Sequence, residues 1–141
     1  VLRATAQADC LIMAAAVSDY RPAGVVGHKI KKADGSEGLT LELVENADFF
    51  HEVPDNVIKV AFAAETHDVI ENARRKPQSH GHLDLICAND VSASDAGFAV
   101  DTNRVALIDA VGTVDELPLL SKYETADRIL DRVKKLLARS D

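Results

Sequence analysis

The sequence predicts an α/β fold, a three-layer sandwich around a mostly parallel central sheet with an added edge or hairpin strand. Three observations carry this. Short apolar runs alternate with segments of helical period along the 141 residues. The first three runs are nearly continuous in apolar residues, as strands buried on both faces are. The chain also closes on an amphipathic helix placed to pack against a sheet. Strand–helix alternation favours right-handed crossovers within one sheet, so the expected architecture is Rossmann-like.

The elements follow in order. Val1 to Ala8 reads as a helix already under way, and the first residue is not Met. The expectation is therefore a single domain, residues 1–141, cut from something longer. Cys10–Ala15, Val57–Phe62, Leu83–Ala88 and Arg104–Asp109 read as the sheet strands. Leu39–Val44 alternates, after the turn-rich Asp34-Gly35-Ser36-Glu37-Gly38, and reads as the edge or hairpin strand. Asn46 can cap a short helix holding Phe49 and Phe50. Thr66 can cap another from His67 to about Lys76, with Asp68 and Glu71 early and Arg74, Arg75 and Lys76 late, as the helix dipole prefers. Ser121-Lys-Tyr-Glu124 is a capping box, followed at helical spacing by Ala126, Ile129, Leu130, Val133, Leu136 and Leu137.

Composition bounds the function. With 47% hydrophobic and 28% charged residues the chain is globular rather than disordered. Aromatics make up only 4%, with no Trp, so the core is built from Val, Ile, Leu and Ala. A net charge of -7 argues against general binding to nucleic acid or anionic membrane. No apolar run approaches the roughly 20 residues that span a bilayer, and no signal peptide opens the chain. The expected location is the cytoplasm. Cys10 and Cys87 lie in apolar strand-like runs, which suits buried thiols better than a disulfide or zinc ligands, since no CxxC or HExxH occurs.

The strand ends carry the chemistry. Ligands of open parallel sheets bind beyond the carboxyl ends of the strands. The first strand leaves through Ala14-Ala15-Ala16-Val17-Ser18-Asp19, the next through Ala63-Ala64-Glu65-Thr66, the third through Ala88-Asn89-Asp90. Small side chains admit a ligand to the backbone, and each run then offers a carboxylate. Alanine is also common in tight α/β turns and acids cap helices, so any single end is open to a purely structural reading. After Asp19 come Lys29, Lys31 and Lys32, three cations within four residues of an acidic protein. Such a local cluster suits an anionic ligand, of which a polyphosphate is the best candidate. A solvated, charged edge strand is the alternative, with Lys29 and Lys31 on one face. GxGxxG and GxxxxGK[ST] are both absent, so phosphate is held by side chains here or by a loop further upstream. Of the five histidines only His80 and His82 are close, with no other ligand at metal spacing. No GxSxG elbow announces a Ser/His/Asp triad.

The runs AAAVSDYRP, KIKK, LTLELVENADF, VAFAAET, ARRK, LDLICANDVS, GFAVDTNRVALI and LPLLSKYETADRIL closely resemble phosphopantothenate–cysteine ligase. The resemblance covers almost the whole chain, in order. It implies CTP and Mg²⁺ as the means of activating 4'-phosphopantothenate as an acyl-cytidylate, which L-cysteine then attacks. It also implies a homodimer, and fusion in bacteria to an FMN-dependent decarboxylase domain absent from this chain. By the same matching, Lys29 is the catalytic lysine. Met13, Ala14, Ala15, Asp19, Ala47, Asp48, Phe49, Phe50, Phe62 and Lys76 contact the nucleotide, with Asn89 a further rim residue. His80 stands where the family usually has a second lysine, and a neutral imidazole is a weaker phosphate partner. The resemblance also implies that the chain is most of the ligase domain, with the family's first strand and glycine-rich loop, and the Asn and Arg that hold the acyl-cytidylate, falling before Val1. Two other readings compete: an NAD(P)-dependent Rossmann-type reductase, which the missing dinucleotide fingerprint disfavours, and a non-catalytic nucleotide-binding or dimerisation fragment.

Overall fold

A computed structural model describes residues 1–31, 38–65, 68, 70–71, 82–92, 95 and 100–140. The chain divides into two compact units, one of residues 1–15 and 49–141, the other of residues 16–48.

The first unit is built on five strands. They are β1 (Cys10–Met13), β4 (Ile58–Glu65), β5 (Leu85–Asp90), β7 (Val105–Asp109) and β8 (Val114–Glu116), in the order β1-β4-β5-β7-β8. β1, β4 and β5 run parallel, with Val60 opposite both Ile12 and Leu85. β7 returns antiparallel, with Cys87 opposite Leu107 and Asn89 opposite Val105. β8 follows antiparallel through a tight turn. In that turn Gly112 takes φ +86, and Asp109 Oδ1 accepts from the Val111 and Thr113 amides at 3.1 and 2.8 Å. The unbroken apolar runs are thus the buried parallel heart of the sheet, as expected, and the fourth run and its hairpin extend it in the opposite sense.

Period-two alternation sorts the core into two faces. Ile58, Val60, Leu85, Cys87, Val105 and Leu107 pack with Ile129 and Val133 of the C-terminal helix α2 (Lys122–Ser140). Ala61, Ala63, Leu83, Ile86, Ala88, Ala106 and Ile108 form the opposite face, against which Phe50 and Ile70 pack. Lys59 points into the second face at 3% exposure, with Nζ 3.5 Å from the exposed Asp55 carboxylate. Its backbone is stitched to β5, the amide donating to Asp84 Oδ2 at 2.8 Å and the carbonyl accepting from Asp84 N at 3.0 Å.

The capping box forms as read. Ser121 N and Oγ both donate to Glu124 Oε2, at 3.0 and 2.6 Å, and Glu124 N donates back to Ser121 Oγ at 3.2 Å. These bonds hold the Glu124 carboxyl below its ordinary range. The buried stripe of α2 is narrower than its apolar pattern. Thr125, Ile129 and Val133 are buried and Leu136 packs beside them, whereas Ala126, Leu130 and Leu137 stay exposed. Ser121 itself lies in β9 (Leu120–Ser121), which pairs with β6 (Thr102–Asn103). At the other end of the chain the expected helix Val1–Ala8 is one turn, α1 (Leu2–Thr5).

The second unit is a two-stranded antiparallel ribbon, β2 (Tyr20–Pro22) on β3 (Leu43–Glu45), with Arg21 opposite Val44. Two expectations change here. The strand read at Leu39–Val44 contracts to Leu43–Glu45, the residues in register with Tyr20–Pro22, and Glu42 O still accepts from Ala23 N at 2.9 Å. Residues 28–31 form no strand, so the shared face expected for Lys29 and Lys31 does not exist. Cys10 and Cys87 are free thiols, and burial pushes Cys87 up to about 12. Among the described residues no helix is long and apolar enough to cross a membrane.

Candidate functional site

In the first unit the carboxyl ends of β1, β4 and β5 form one rim. β1 stops at Met13, which is half-buried opposite Ala61, and Ala14 and Ala15 follow as exposed residues outside the strand. β4 runs further than its apolar run suggested, so Ala63, Ala64 and Glu65 are ladder residues rather than a loop. They pair with β5 in register, Ala63 opposite Ala88 and Ala64 opposite Asn89. Phe62 lies opposite Cys87, on the face that carries α2, yet it is 37% exposed. An aromatic ring left partly open at the end of a buried strand offers a stacking surface.

Asn89 stands two residues past Cys87 on the same face. Its side-chain oxygen Oδ1 is buried and, among the described residues, has no hydrogen-bond partner. Buried acceptors are normally satisfied, so such an atom marks a place where a donor from elsewhere belongs. Asn103 Oδ1 has the same status. The reading of the sequence passed over Asn103, which sits in a polar Asp-Thr-Asn-Arg stretch with no motif to flag it.

The acids divide differently from the sequence pattern. Glu65 and Asp90 lie opposite one another in the β4–β5 ladder. Asp90 is committed locally, its Oδ1 accepting from Ser92 N at 2.9 Å and Ser92 Oγ at 2.6 Å. Those two bonds, more than the nearby Arg104 charge, lower its carboxyl below the ordinary range. Asp90 is thus a turn-forming residue. Arg104 is likewise engaged: Nε and Nη2 donate to Asp95 Oδ1 and Oδ2, at 3.1 and 2.6 Å, raising the guanidinium and lowering the carboxyl.

Phe49 and Phe50 also belong to this unit. They lie in a single 3-10 turn, Phe49–Glu52, with ring centroids 4.7 Å apart and stacked. Phe50 leans on the alanine-rich face of the sheet.

The second unit gathers other expected residues. Asn46 N donates to Asp19 O at 2.8 Å, and Asn46 Nδ2 donates to Ser18 O at 2.6 Å. Arg21 Nη1 donates to both Asn46 Oδ1 and Glu45 O, at 2.9 and 2.8 Å. This network holds Asp19 beside the segment that leads into Ala47 and Asp48. Asn46, expected as a helix cap, instead ties the two strands of the ribbon together. Lys29 and Lys31 are exposed. Lys32, Lys76 and His80 lie outside the described residues, as do most of the expected helix from His67, of which Ile70 and Glu71 are helical.

Comparison with known proteins adds a family. Residues 1–137 match the model of the DNA/pantothenate metabolism flavoprotein C-terminal domain. The chain is 44% identical over 131 residues to the coenzyme A biosynthesis bifunctional protein CoaBC of Bacillus subtilis, covering 91% of this chain and 32% of that protein. The CoaBC protein of Vibrio vulnificus is 41% identical over 133 residues, 92% of this chain and 33% of the relative. The chain therefore spans about a third of the length of these relatives. A crystal structure of the C-terminal domain of CoaBC superposes with a TM-score of 0.72 at 30% identity, covering 98% of this chain and 59% of that one.

Proposed function

Because this chain belongs to the DNA/pantothenate metabolism flavoprotein C-terminal domain family, we propose that it carries most of the CTP pocket of a phosphopantothenate–cysteine ligase acting in coenzyme A biosynthesis. The observation that carries this reading is the rim of β4 and β5, where a partly open Phe62 and a buried, unpartnered Asn89 oxygen share one face of the sheet. A stacking surface beside an unfilled acceptor suits a flat ring with a polar edge, such as a nucleobase.

The reaction would proceed in two steps. The 4'-phosphopantothenate carboxylate attacks the α-phosphorus of CTP, and pyrophosphate leaves. The amine of L-cysteine then attacks the acyl carbon, losing a proton, and CMP leaves with the electron pair of the cleaved C–O bond. The first step brings two anions together, so cations are needed around the phosphate oxygens. Lys29 is the residue for that role: an exposed ammonium on a segment without regular structure, free to follow the charge as it moves. Lys76 and His80 would complete the phosphate contacts, with Met13, Ala14, Ala15, Asp19, Ala47, Asp48, Phe49 and Phe50 around the nucleotide. Among the described residues no group of three His, Cys, Asp or Glu could hold a metal. A magnesium ion carried in on the triphosphate would screen phosphate charge, and it needs only one or two protein carboxylates there.

A homodimer belongs to the same proposal. Val25, Val26, Ile30, Leu39, Leu41 and Leu43 of the second unit are all more than half exposed, a concentration of apolar surface that a second copy could cover. The relatives are named bifunctional, which supports fusion to a second domain; that this domain is a flavoprotein decarboxylase, and that the protein is cytoplasmic, belong to the same proposal.

Calorimetric titration tests the reading. CTP with Mg²⁺ is expected to bind the chain and to raise its melting temperature more than ATP or NADPH does. Lys29→Gln is expected to weaken CTP binding about 10- to 100-fold, the worth of one charge-assisted contact to phosphate. Equal stabilisation by NADPH, or unaltered CTP affinity in Lys29→Gln, would refute it.

A further inference from the structure

We propose that the outward flank of α2 is a self-association surface, on which two copies of this chain lay their α2 helices antiparallel about a two-fold axis beside Leu130. The surface lies wholly within the first unit and is independent of the nucleotide pocket.

The apolar pattern of α2 is wider than the sheet it covers. Ile129 and Val133 are buried, and Leu136 packs beside them. Tyr123, Leu130 and Leu137, spaced by seven, form a second apolar row that stays 78%, 52% and 36% exposed. At 3.6 residues per turn this row stands about a quarter-turn round the helix from the buried stripe, and it runs roughly 21 Å. Arg132 marks the other flank, where Nη2 lies 3.9 Å from Asp109 Oδ2 at the end of β7. The row therefore faces away from β7. A lone exposed leucine needs no explanation, but three large apolar side chains in one file mark an interaction surface.

Spacing and charge name the occupant. The row is symmetric about Leu130, with Tyr123 seven residues before it and Leu137 seven after. Against an antiparallel copy Leu130 meets Leu130, and each Tyr123 meets a Leu137, so the seam is apolar from end to end. On the solvent side of the row stand Asp127 and Lys134, also seven apart and both exposed. Same-side positions face each other in an antiparallel helix pair. About this axis Asp127 comes within one residue, roughly 1.5 Å of rise, of Lys134 of the second copy. The two-fold makes that pair twice. Within its own helix Asp127 has no cation beside it, its neighbours three and four residues away being Tyr123, Glu124, Leu130 and Asp131. Two of those are like charges, so the missing cation comes from outside. The surface is complementary to itself.

Light scattering and sedimentation equilibrium across protein concentration test this. The apolar face of residues 25–43 proposed above as a dimer surface is a different patch, and two self-complementary patches on one chain give masses above the dimer. Leu130→Glu sets two carboxylates on the axis and is expected to stop assembly at the dimer; with Leu41→Glu added, the chain should be monomeric. Both positions are exposed, so helix content and melting temperature should hold. At low salt Asp127→Lys is expected to weaken the α2 contact about 5- to 10-fold, and Asp127→Lys with Lys134→Asp to restore it. An unchanged mass distribution in Leu130→Glu, or no recovery in the charge exchange, would overturn the inference. If Leu41→Glu alone then gave monomers, the other dimer surface would survive. A dimer that Leu130→Glu alone makes monomeric supports the α2 surface and sinks the other. A chain monomeric at every concentration would overturn both.

Discussion

The two compact units of this chain spend their residues in opposite ways. In the sheet unit β4 buries Ile58, Lys59, Val60, Ala61 and Ala63, and the fully buried side chains Leu83, Leu85, Ile86, Leu107 and Ile108 all belong to it. In residues 16–48 no described residue is buried, and order rests on a three-residue ladder and the hydrogen bonds of Asn46 and Arg21. The first unit is stabilised by removing apolar surface from water. The second keeps lysines and apolar side chains outward, which costs stability and leaves them available to a ligand or a partner.

Substitutions can break this contrast. Leu107→Ala, in the middle of the buried core, is expected to cost about 2–5 kcal/mol in urea unfolding, through lost burial and the cavity left behind. Ser121→Ala, which removes the cap of α2, should cost about 1 kcal/mol in the same assay. Asn46→Ala removes two exposed side-chain hydrogen bonds, and its effect should be local: faster proteolysis within residues 16–48 with little change in the midpoint of global unfolding. Leu43→Ala, in the ribbon and half exposed, should fall within about 0.5 kcal/mol of the unaltered chain. A Leu43→Ala cost as large as that of Leu107→Ala would end the comparison.

The pH dependence sharpens it further. Hydrogen bonds from Ser121 hold Glu124 below its ordinary value near 4.5. The folded state therefore favours the carboxylate, and this stability is present above the ordinary value and lost as pH falls through the lowered one. Acid titration of the helix signal should show a steeper loss below about pH 4.5 in the unaltered chain than in Ser121→Ala. Parallel acid limbs for the two proteins would show that the cap contributes nothing to the pH response.

Several features were legible from local pattern alone. The apolar runs at Val57–Phe62 and Leu83–Ala88 marked buried parallel strands because a strand covered on both faces has no polar position to interrupt it. The capping box was legible because its defining bonds join Ser121 and Glu124, only three residues apart in the chain. Other features depend on partners distant in sequence. Tyr20–Pro22 carries no strand signal, and becomes β2 only through Leu43–Glu45, some twenty residues on. Leu130 and Leu137 fit the helical period as well as Ile129 does, yet only Ile129 meets the sheet. Asp90 read as a rim acid and proved to be a turn-former, since a short bond to Ser92 looks the same in sequence as a ligand contact.

Composition, apolar period and matched motifs by themselves determined the α/β class, the main strands, the closing helix and the family. Each of these follows from residues that are near neighbours in the chain or from the sum of all residues. Only the tertiary structure decided that Phe62 and Asn89 share a face, that Phe62 stays partly open, and that Asp90 and Asp95 are already engaged. Such facts depend on register between strands, where a shift of one residue would turn every one of those side chains to the other side of the sheet.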